Sequence, residues 1–361
     1  MTPFAPASTT GRPTVAVVGA VGRFAQAVVH VMAMRTDCWG EIRLLSPTVT
    51  TRTLTVRGRE QPIEVLTEKA LQGVDIALFN LPGPQTAAWT ERAVAAGAVV
   101  VDASHAHRFD DQVPLVVPGI NGERALERPR GIVSLPGPVT WALIDAAHVL
   151  NQGWELQLLV VTGLIAAASH SDRGIARLRA ENEAVLAYPT AGEAPGDVRA
   201  ATSDLPGDSP FPAPLAMNVI PWVGRPGDGG WTSTELGLRQ EIVKILEIPH
   251  VPVVATLVQV PVVSSHSMSI HARCARSIQP EKVRRAIIEA PSLVILDDVA
   301  TGEVPTPIDV AGIDPRFVGR VRQPEGLGHT IDLFLSADTI RRGAAAMVET
   351  AELVAADLAR R

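Results

Sequence analysis

The sequence predicts an α/β protein with a doubly wound parallel sheet domain, a second α+β domain and a C-terminal helix that returns to the first domain. Short runs of Val, Ala, Ile and Leu alternate with helical stretches in the first third of the chain, which is typical of parallel sheets. After Gly131 the pattern changes to longer β runs and charged helices. A length of 361 residues suits two domains better than a single core.

The elements of the first region follow in order along the chain. Residues 14–18 form a buried strand that leads into a glycine turn and a helix over 24–34. The next predicted elements are a strand over 41–45, a hairpin of 53–57 and 62–65, a strand over 74–79, a helix over 85–96 and a strand over 98–102. Gly97 ends the helix over 85–96, since glycine is common just after the end of a helix.

The second region mixes helices with longer strands. Its predicted helices cover 139–150, 175–186, 235–246, 280–290 and 338–361, and its strands cover 157–162, 253–263 and 268–275. We expect the last two strands to pair with each other. A segment rich in Pro, Gly and Asp spans 189–214. The expected division is a flexible tail over 1–13, a first domain over 14–138 and 338–361, and a second domain over 139–337.

Composition excludes several classes of protein. Lys and Arg number 32 against 38 Asp and Glu, for a net charge of −6, which argues against a nucleic-acid partner. The longest apolar run, 156–168, is too short to span a bilayer, so no membrane association is expected. Two cysteines, Cys38 and Cys274, cannot form a disulfide framework, which favours a cytoplasmic location.

The turn after the first strand carries small residues three positions apart, a spacing typical of dinucleotide-binding turns. Gly19, Gly22 and Ala25 would let backbone N–H groups approach a pyrophosphate at a helix N-terminus, as in Rossmann-type domains. This predicts a site for NADP or NAD, with Arg23 and Ser46 as further candidate residues. The alternative is a turn that only packs the helix on the sheet.

Segments along almost the whole chain resemble the aspartate-semialdehyde dehydrogenase family. They are the strand and turn over 15–23, D-A-S-H-A-H-R over 102–108, V-P-L-V-V-P-G-I-N over 113–121, F-P-A-P-L-A-M-N-V-I-P over 211–221, V-P-V-V-S-S-H over 260–266, and D-T-I-R-R-G-A-A over 338–345. The resemblance implies the family's two-domain fold, a homodimer and a nicotinamide cofactor. It also identifies His266 as the family's catalytic histidine.

The position of the family's nucleophile holds no thiol. The family motif N-P-N-C-S-T places a cysteine at a helix N-terminus, where the dipole favours the thiolate. The matching segment here is L-P-G-P-V-T over 135–140, so Pro138 occupies the cysteine's place. Proline suits the first helical position but has no atom that can attack an aldehyde. The resemblance therefore predicts a fold without the family's covalent step.

Other family positions are changed too. Gln259 stands where the family has its substrate-clamping arginine, Ile165 where it has a glutamine, and Gly237 near its phosphate-contacting lysine. Glu235 remains as a carboxylate of that helix. These changes argue against aspartate semialdehyde and aspartyl phosphate as the substrates. Arg52 is a candidate replacement for the family's arginine at the NADP 2′-phosphate.

Added histidines are the main novelty. His105 and His107 lie where the family has Ser and Phe, and His170 lies in A-S-H-S-D over 168–172, which replaces the family's S-G-A-G. If the resemblance holds, these loops face His266, and imidazoles are well suited to proton transfer near neutral pH. The alternatives are surface histidines without a shared role, or a histidine-ligated metal through His105 and His107; we assign no metal ligands.

Arg108 and Trp141 are weighed in the same way. Arg108 is a candidate for binding a carboxylate or other anion, and the alternative is an ion pair with Asp110 or Asp111. Trp141 is either a core residue or part of a roomier, more apolar pocket.

These residues lead to a hypothesis about function. We expect a repurposed member of the family, not a phosphorylating dehydrogenase, that acts on a small carboxylate-bearing metabolite. His266 would act as acid or base, aided by His105, His170 and Arg108, in an elimination, cyclisation or isomerisation, or in a thiol-free hydride transfer with NADP or NAD. The alternatives are a non-catalytic dimerising partner of another enzyme and an NADP-dependent semialdehyde dehydrogenase.

Overall fold

The structure, a computed structural model, describes residues 11–35, 37–188 and 190–360. Residues 1–10 of the predicted tail lie outside the described residues. The strands are β1 (Val15–Val18), β2 (Ile42–Ser46), β3 (Thr53–Val56), β4 (Arg59–Pro62), β5 (Glu64–Val65), β6 (Ile76–Phe79), β7 (Val99–Asp102), β8 (Ile132–Ser134), β9 (Leu156–Ile165), β10 (Val253–Gln259), β11 (His266–Cys274), β12 (Leu293–Ile295), β13 (Arg316–Arg322) and β14 (Thr330–Ala337).

The α-helices are α1 (Arg23–Met34), α2 (Glu68–Leu71), α3 (Gly83–Ala95), α4 (Pro138–Trp154), α5 (Ser171–Leu186), α6 (Asp197–Ala201), α7 (Ser233–Leu246), α8 (Pro280–Glu289), α9 (Pro307–Val310) and α10 (Thr339–Leu358). Three short 3₁₀ helices cover Gly122–Leu126, Ala167–His170 and Asp228–Gly230. In the described part of the chain, no helix is both long enough and apolar enough to cross a membrane.

The chain divides into two compact units. Unit 1 holds the described residues up to Gly137, together with Lys244–Glu247 and those from Ile340 onward. Its six-stranded sheet has the order β5-β2-β1-β6-β7-β8, and every pairing is parallel. All four residues of β1 and of β6 are buried, as expected for central strands of a parallel sheet with both faces covered.

Unit 2 holds Pro138–Val243 and Ile248–Thr339. Its six-stranded mixed sheet has the order β10-β9-β11-β14-β13-β12. Helix α4 packs on β9, β11 and β14, and α8 packs on β12 and β13. Buried and exposed residues alternate along β10, so one face of this sheet is covered and the other is more open.

The predicted fold class is confirmed, while several details of the prediction differ. The prediction that residues 268–275 pair with 253–263 is wrong, because β9 lies between β10 and β11 and pairs with both. The predicted hairpin is formed by β3 and β4, whereas Glu64–Val65 joins the edge of the parallel sheet. The strands β12 to β14 were not predicted.

The boundary between the units falls between Gly137 and Pro138. Pro138 begins unit 2, and Lys244–Glu247 belongs to unit 1. The Lys244 ammonium explains this small exchange, since it donates to the carbonyl oxygens of Arg108, Asp110 and Val113 at 2.8–3.0 Å. Burial lowers the pKa of Lys244.

Candidate functional site

The glycine turn of unit 1 has the backbone that a dinucleotide site needs. Gly19 has a φ of +94°, and a Cβ added there would lie 2.4 Å from the carbonyl oxygen of Asn80. Helix α1 begins just after Gly22, and Ala25 is buried in its first turn. The N–H groups of a first helical turn have no acceptor within the helix, so this turn can bind an anion.

Two further candidate residues are polar. Ser46 lies at the end of β2, the neighbour of β1, and Arg52 lies in the segment that follows β2. Ser46 ends β2, and its buried hydroxyl accepts a hydrogen bond from the Thr48 N–H at 3.2 Å. The exposed Arg52 donates to the carbonyl oxygen of Val21, at 3.1 Å. Arg52 therefore lies at the turn, where a cation can meet the phosphate groups of a dinucleotide.

The loop after β7 separates the two histidines that the sequence places together. The His105 ring covers Gly83 at the start of α3, since a Cβ there would lie 2.4 Å from it. The buried His107 shares a hydrogen bond of 2.8 Å with Thr90, seven residues further along α3. That spacing is about 10 Å along a helix. The two rings therefore contact α3 about two turns apart, which is too far for both to ligate one metal ion.

Arg108 is anchored by backbone carbonyl groups. Its guanidinium donates to the carbonyl oxygens of Leu135 and Ala103, at 2.8 and 2.6 Å, and the side chain is buried. Asp110, one of the two carboxylates proposed as partners of Arg108, forms an ion pair with Arg130. Arg108 thus connects the loop after β7 to the segment that precedes α4.

Helix α4 of unit 2 starts at the position where the family has its nucleophile. Pro138 is its first residue and is exposed. The Thr140 hydroxyl, two residues further on, donates to the buried carboxylate of Glu241. The first turn of α4 is therefore held by proline and by a side-chain hydrogen bond, and it presents no thiol.

His266 begins β11 and is almost wholly buried. Its Nδ1 accepts a hydrogen bond of 3.3 Å from the Ala166 N–H. Burial lowers the pKa of His266 to about 4, against weaker opposing effects of the Ser265 backbone and Asp338. The ring is therefore neutral near pH 7. Because Nδ1 accepts from the Ala166 N–H, we assign the proton of the neutral ring to Nε2.

Gln259, at the clamp position, is built into the protein. It is fully buried, donates from Nε2 to the Ile165 carbonyl oxygen at 2.8 Å, and accepts from the Ser169 hydroxyl at 3.3 Å. Its backbone pairs with Ile220 of the segment 211–221. Gln259 thus joins the end of β9 to the turn that follows it, where an arginine would have presented a charge.

Glu235 is also committed to structure. Its carboxylate accepts from the Thr232 N–H at 2.8 Å and from the Leu257 N–H at 3.0 Å. The Thr232 hydroxyl in turn accepts from the Glu235 N–H, which makes a capping box at the start of α7. The remaining family carboxylate therefore holds the helix to β10.

His170 ends the 3₁₀ turn that follows β9. Its ring meets the Phe211 ring edge-on, with centroids 5.1 Å apart. Burial, together with the charge of Arg173, lowers the pKa of His170. Gly174 allows this turn to pack closely on α5, because a Cβ there would lie 2.1 Å from the Ala167 carbonyl oxygen. This close approach was not predicted from the sequence.

Neither thiol lies where the family's cysteine would be. Cys274 and His266 are the two ends of β11, so they are about 26 Å apart at 3.3 Å per residue. Burial raises the pKa of Cys274 to about 11. Cys38 precedes β2, at the end of the unit 1 sheet opposite to the glycine turn, and burial raises its pKa as well.

Ser265 is a residue that the sequence analysis missed. It directly precedes His266, has a φ of +69°, and is buried. Its hydroxyl has no hydrogen-bond partner in the described part of the chain. Positive φ leaves no mark in the sequence unless glycine occupies the position. Within the described residues, no cluster of three or more His, Cys, Asp or Glu side chains could hold a metal ion.

Two family models match most of the chain. Residues 14–127 match the family model of the semialdehyde dehydrogenase NAD binding domain, and 150–342 match that of the semialdehyde dehydrogenase dimerisation domain. The chain is 35% identical to the aspartate-semialdehyde dehydrogenase of Streptomyces akiyoshiensis over 347 residues, which covers 95% of this chain and 99% of that protein.

Further relatives are similar over comparable lengths. The aspartate-semialdehyde dehydrogenase of Mycolicibacterium smegmatis is 33% identical over 353 residues, or 95% of this chain and 99% of that protein. The crystal structure of aspartate semialdehyde dehydrogenase II from Vibrio cholerae superposes with a TM-score of 0.86 at 27% identity, and covers 96% of this chain and 99% of that one.

Proposed function

The chain belongs to the aspartate-semialdehyde dehydrogenase family, and from this premise we propose that it is a thiol-free member that acts on the carbonyl group of a small metabolite. Its reaction would proceed without the family's covalent intermediate. The observation that carries the proposal is Pro138 at the start of α4, together with the position of Cys274 at the opposite end of β11 from His266.

The state of His266 supports a specific role. A neutral imidazole with its proton on Nε2 donates a hydrogen bond, and its low pKa makes it a weak base. Such a donor polarises a carbonyl oxygen and stabilises the charge that develops there. We therefore propose that His266 is a hydrogen-bond donor to the substrate, in preference to the proton relay through His105 and His170 expected from the sequence.

The glycine turn supports a nicotinamide cofactor. Gly19, the first turn of α1 and Arg52 fit the pyrophosphate and phosphate groups of NADP or NAD, with Gly22, Arg23, Ala25 and Ser46 around them. When bound, NADP or NAD supplies or accepts a hydride. Carbonyl polarisation by a neutral donor suits hydride transfer, because the His266 N–H would stabilise the negative charge that forms on the oxygen, which would then take its proton from water.

The hydrogen bonds of Arg108 do not favour a carboxylate at that residue. Its guanidinium donates to two backbone carbonyl groups, so we leave Arg108 out of the proposed substrate site and assign it a positioning role for the loop after β7. The proposed substrate class is accordingly a small carbonyl compound.

A direct assay tests this function. We expect NADP or NAD to raise the melting temperature, because a ligand at one hundred times its Kd adds about 2.7 kcal/mol. NADPH oxidation with a panel of small aldehydes and ketones should reveal turnover. His266→Gln should lower kcat/KM about 100-fold, as the loss of one such donor does, with cofactor affinity unchanged.

Two outcomes would contradict the proposal. Phosphate-dependent NADPH formation from aspartate semialdehyde would show ordinary family chemistry. No melting shift with either cofactor and no turnover would favour the non-catalytic dimerising partner. Pro138→Cys is the matched variant: we expect it to remain inactive on aspartate semialdehyde, because Gln259 still occupies the position of the family's arginine and Gly237 lies near that of its lysine.

We propose that the chain forms a homodimer through the open face of the unit 2 sheet. The match to a dimerisation domain over 150–342 supports this, as does the exposure of Val254 on that face. The pair of His271 and Asp332, 2.7 Å apart, lies on adjacent strands of the sheet. Sedimentation of the wild type should give a dimer mass, and Val254→Asp should shift it toward the monomer.

A further inference from the structure

Ser265 has a conformation that serine rarely adopts. Its φ of +69° lies in the left-handed region, which is disfavoured for a residue with a Cβ and favours glycine. Ser265 therefore carries a side chain in a strained backbone conformation.

The hydroxyl of Ser265 has a second cost. Ser265 is 5% exposed, and its Oγ has no hydrogen-bond partner among the described residues. A buried hydroxyl without a hydrogen-bond partner destabilises a protein. Ser267, two residues further on, shows the usual solution, because its hydroxyl shares a hydrogen bond of 2.7 Å with that of Ser336.

The position of Ser265 indicates what offsets these costs. It directly precedes His266. The His266 Nδ1 accepts a hydrogen bond from the Ala166 N–H, which holds the ring at the end of β9. Two neutral polar side chains near this point, Gln259 and Ser169, are hydrogen-bonded to each other, while the charge of Asp338 also acts on His266. Strained backbone and unpartnered polar groups gather at ligand sites, where the ligand supplies the missing contact.

We propose that the Ser265 hydroxyl is a substrate-binding group of the His266 site, and that it hydrogen-bonds an oxygen of a small uncharged carbonyl or hydroxyl compound. This inference rests on the proposed function, since it takes His266 as the donor to the same ligand. An uncharged ligand fits because Gln259 and Gly237 stand where the family has cations. A hydroxyl both donates and accepts, so it can serve a carbonyl or an alcohol.

The test uses the full-length protein and γ-butyrolactone, a neutral carbonyl probe, with succinate semialdehyde as its anionic counterpart. Ligand-observed NMR titrations compare the wild type with Ser265→Ala, Ser265→Gly and His266→Gln, and with Ser267→Ala as the matched control. Melting temperatures are recorded for all five proteins.

We expect the wild type to bind the lactone more tightly than the anion. Both Ser265 variants should bind the lactone about tenfold more weakly, the effect of one lost hydrogen bond. Ser265→Gly should melt about 2–4 °C higher, because it removes the strain and the buried hydroxyl. Ser267→Ala should melt lower and bind normally.

Three results would overturn the inference. Unchanged lactone affinity in Ser265→Ala, with affinity lost in His266→Gln, would leave the proposed function intact and remove Ser265 from it. A clear drop in melting temperature for Ser265→Ala would assign the hydroxyl to structure. Lack of saturable lactone binding by both the wild type and His266→Gln would remove the inference together with the proposed role of His266.

Discussion

Two junctions between a strand and a helix show how differently this fold carries its chemistry. In unit 1, β1 leads through Gly19 and Gly22 into α1. In unit 2, the helix α4 begins directly at Pro138. The first junction acts through backbone N–H groups, so it depends on which residues permit the backbone path. The second junction would act through one side chain, so a single replacement ends its chemistry and leaves the helix intact.

The two junctions also differ in how tightly the fold constrains them. Gly19 cannot be changed without disturbing Asn80, just after the neighbouring strand β6, so its missing Cβ is a packing requirement. The first helical position of α4 accepts proline without a cost to the fold. Under the proposed function, the side-chain junction is therefore the one that can change its chemistry without changing the fold.

Gly19→Ala is expected to have the largest effect. The new Cβ would lie 2.4 Å from the Asn80 carbonyl oxygen, at a φ of +94°. We expect the free energy of unfolding to fall by about 4 kcal/mol, at the upper end of single substitutions, and any melting shift with NADP to vanish. Chemical denaturation measures the first and thermal shift the second.

Gly22→Ala is the matched control for that substitution. Its φ is −87°, and the atom closest to an added Cβ is 3.8 Å away. We expect a change below about 1 kcal/mol. Equal losses in the two variants would contradict the distinction between a backbone requirement and general sensitivity of the turn.

Gln259→Glu comes next in expected size and tests whether the former clamp position is now structural. A carboxylate would face the Ile165 carbonyl oxygen in a fully buried place, at a cost of about 3 kcal/mol. Gln259→Leu should cost only about 1 kcal/mol, because that oxygen keeps its hydrogen bond from the Val260 N–H. Denaturation curves rank the two, and the reverse order would contradict a purely structural amide.

The fold class followed from periodicity, while parts of the site lay beyond the sequence. Alternation of strands and helices predicted the parallel sheet, and the motifs predicted the family, while the roles given to His266 and Pro138 stay predictions. Strand order in unit 2 could not be predicted, because residues 260–265 resemble a connection within a hairpin and instead return beside β9. The separation of His105 from His107 and the strain at Ser265 depend on φ values and packing that residue identity does not encode.

The pH dependence of stability is a smaller effect that sharpens the view of His266. Its folded pKa of about 4 lies below the ordinary value of 6.5, so the unfolded chain binds a proton first as the pH falls. Stability from this residue is complete above 6.5 and is lost toward 4. Between pH 7 and pH 5 we expect a loss of about 2 kcal/mol that is absent in His266→Gln. The free energy of unfolding is measured by denaturation at several pH values. If it falls equally with pH in the wild type and in His266→Gln, His266 is not a buried neutral ring.

The smallest expected effect concerns Cys274, which should be irrelevant to chemistry in unit 2. Its thiol is buried, has a pKa of about 11 and lies at the opposite end of β11 from His266. Cys274→Ala should lower the free energy of unfolding by about 1 kcal/mol and leave turnover and lactone binding unchanged. In the native protein, Cys38 should react with a thiol reagent before Cys274 does, because Cys38 is only partly buried. Loss of turnover in Cys274→Ala would contradict this expectation. It would give a thiol a part in the mechanism although Cys274 lies at the far end of β11 from His266.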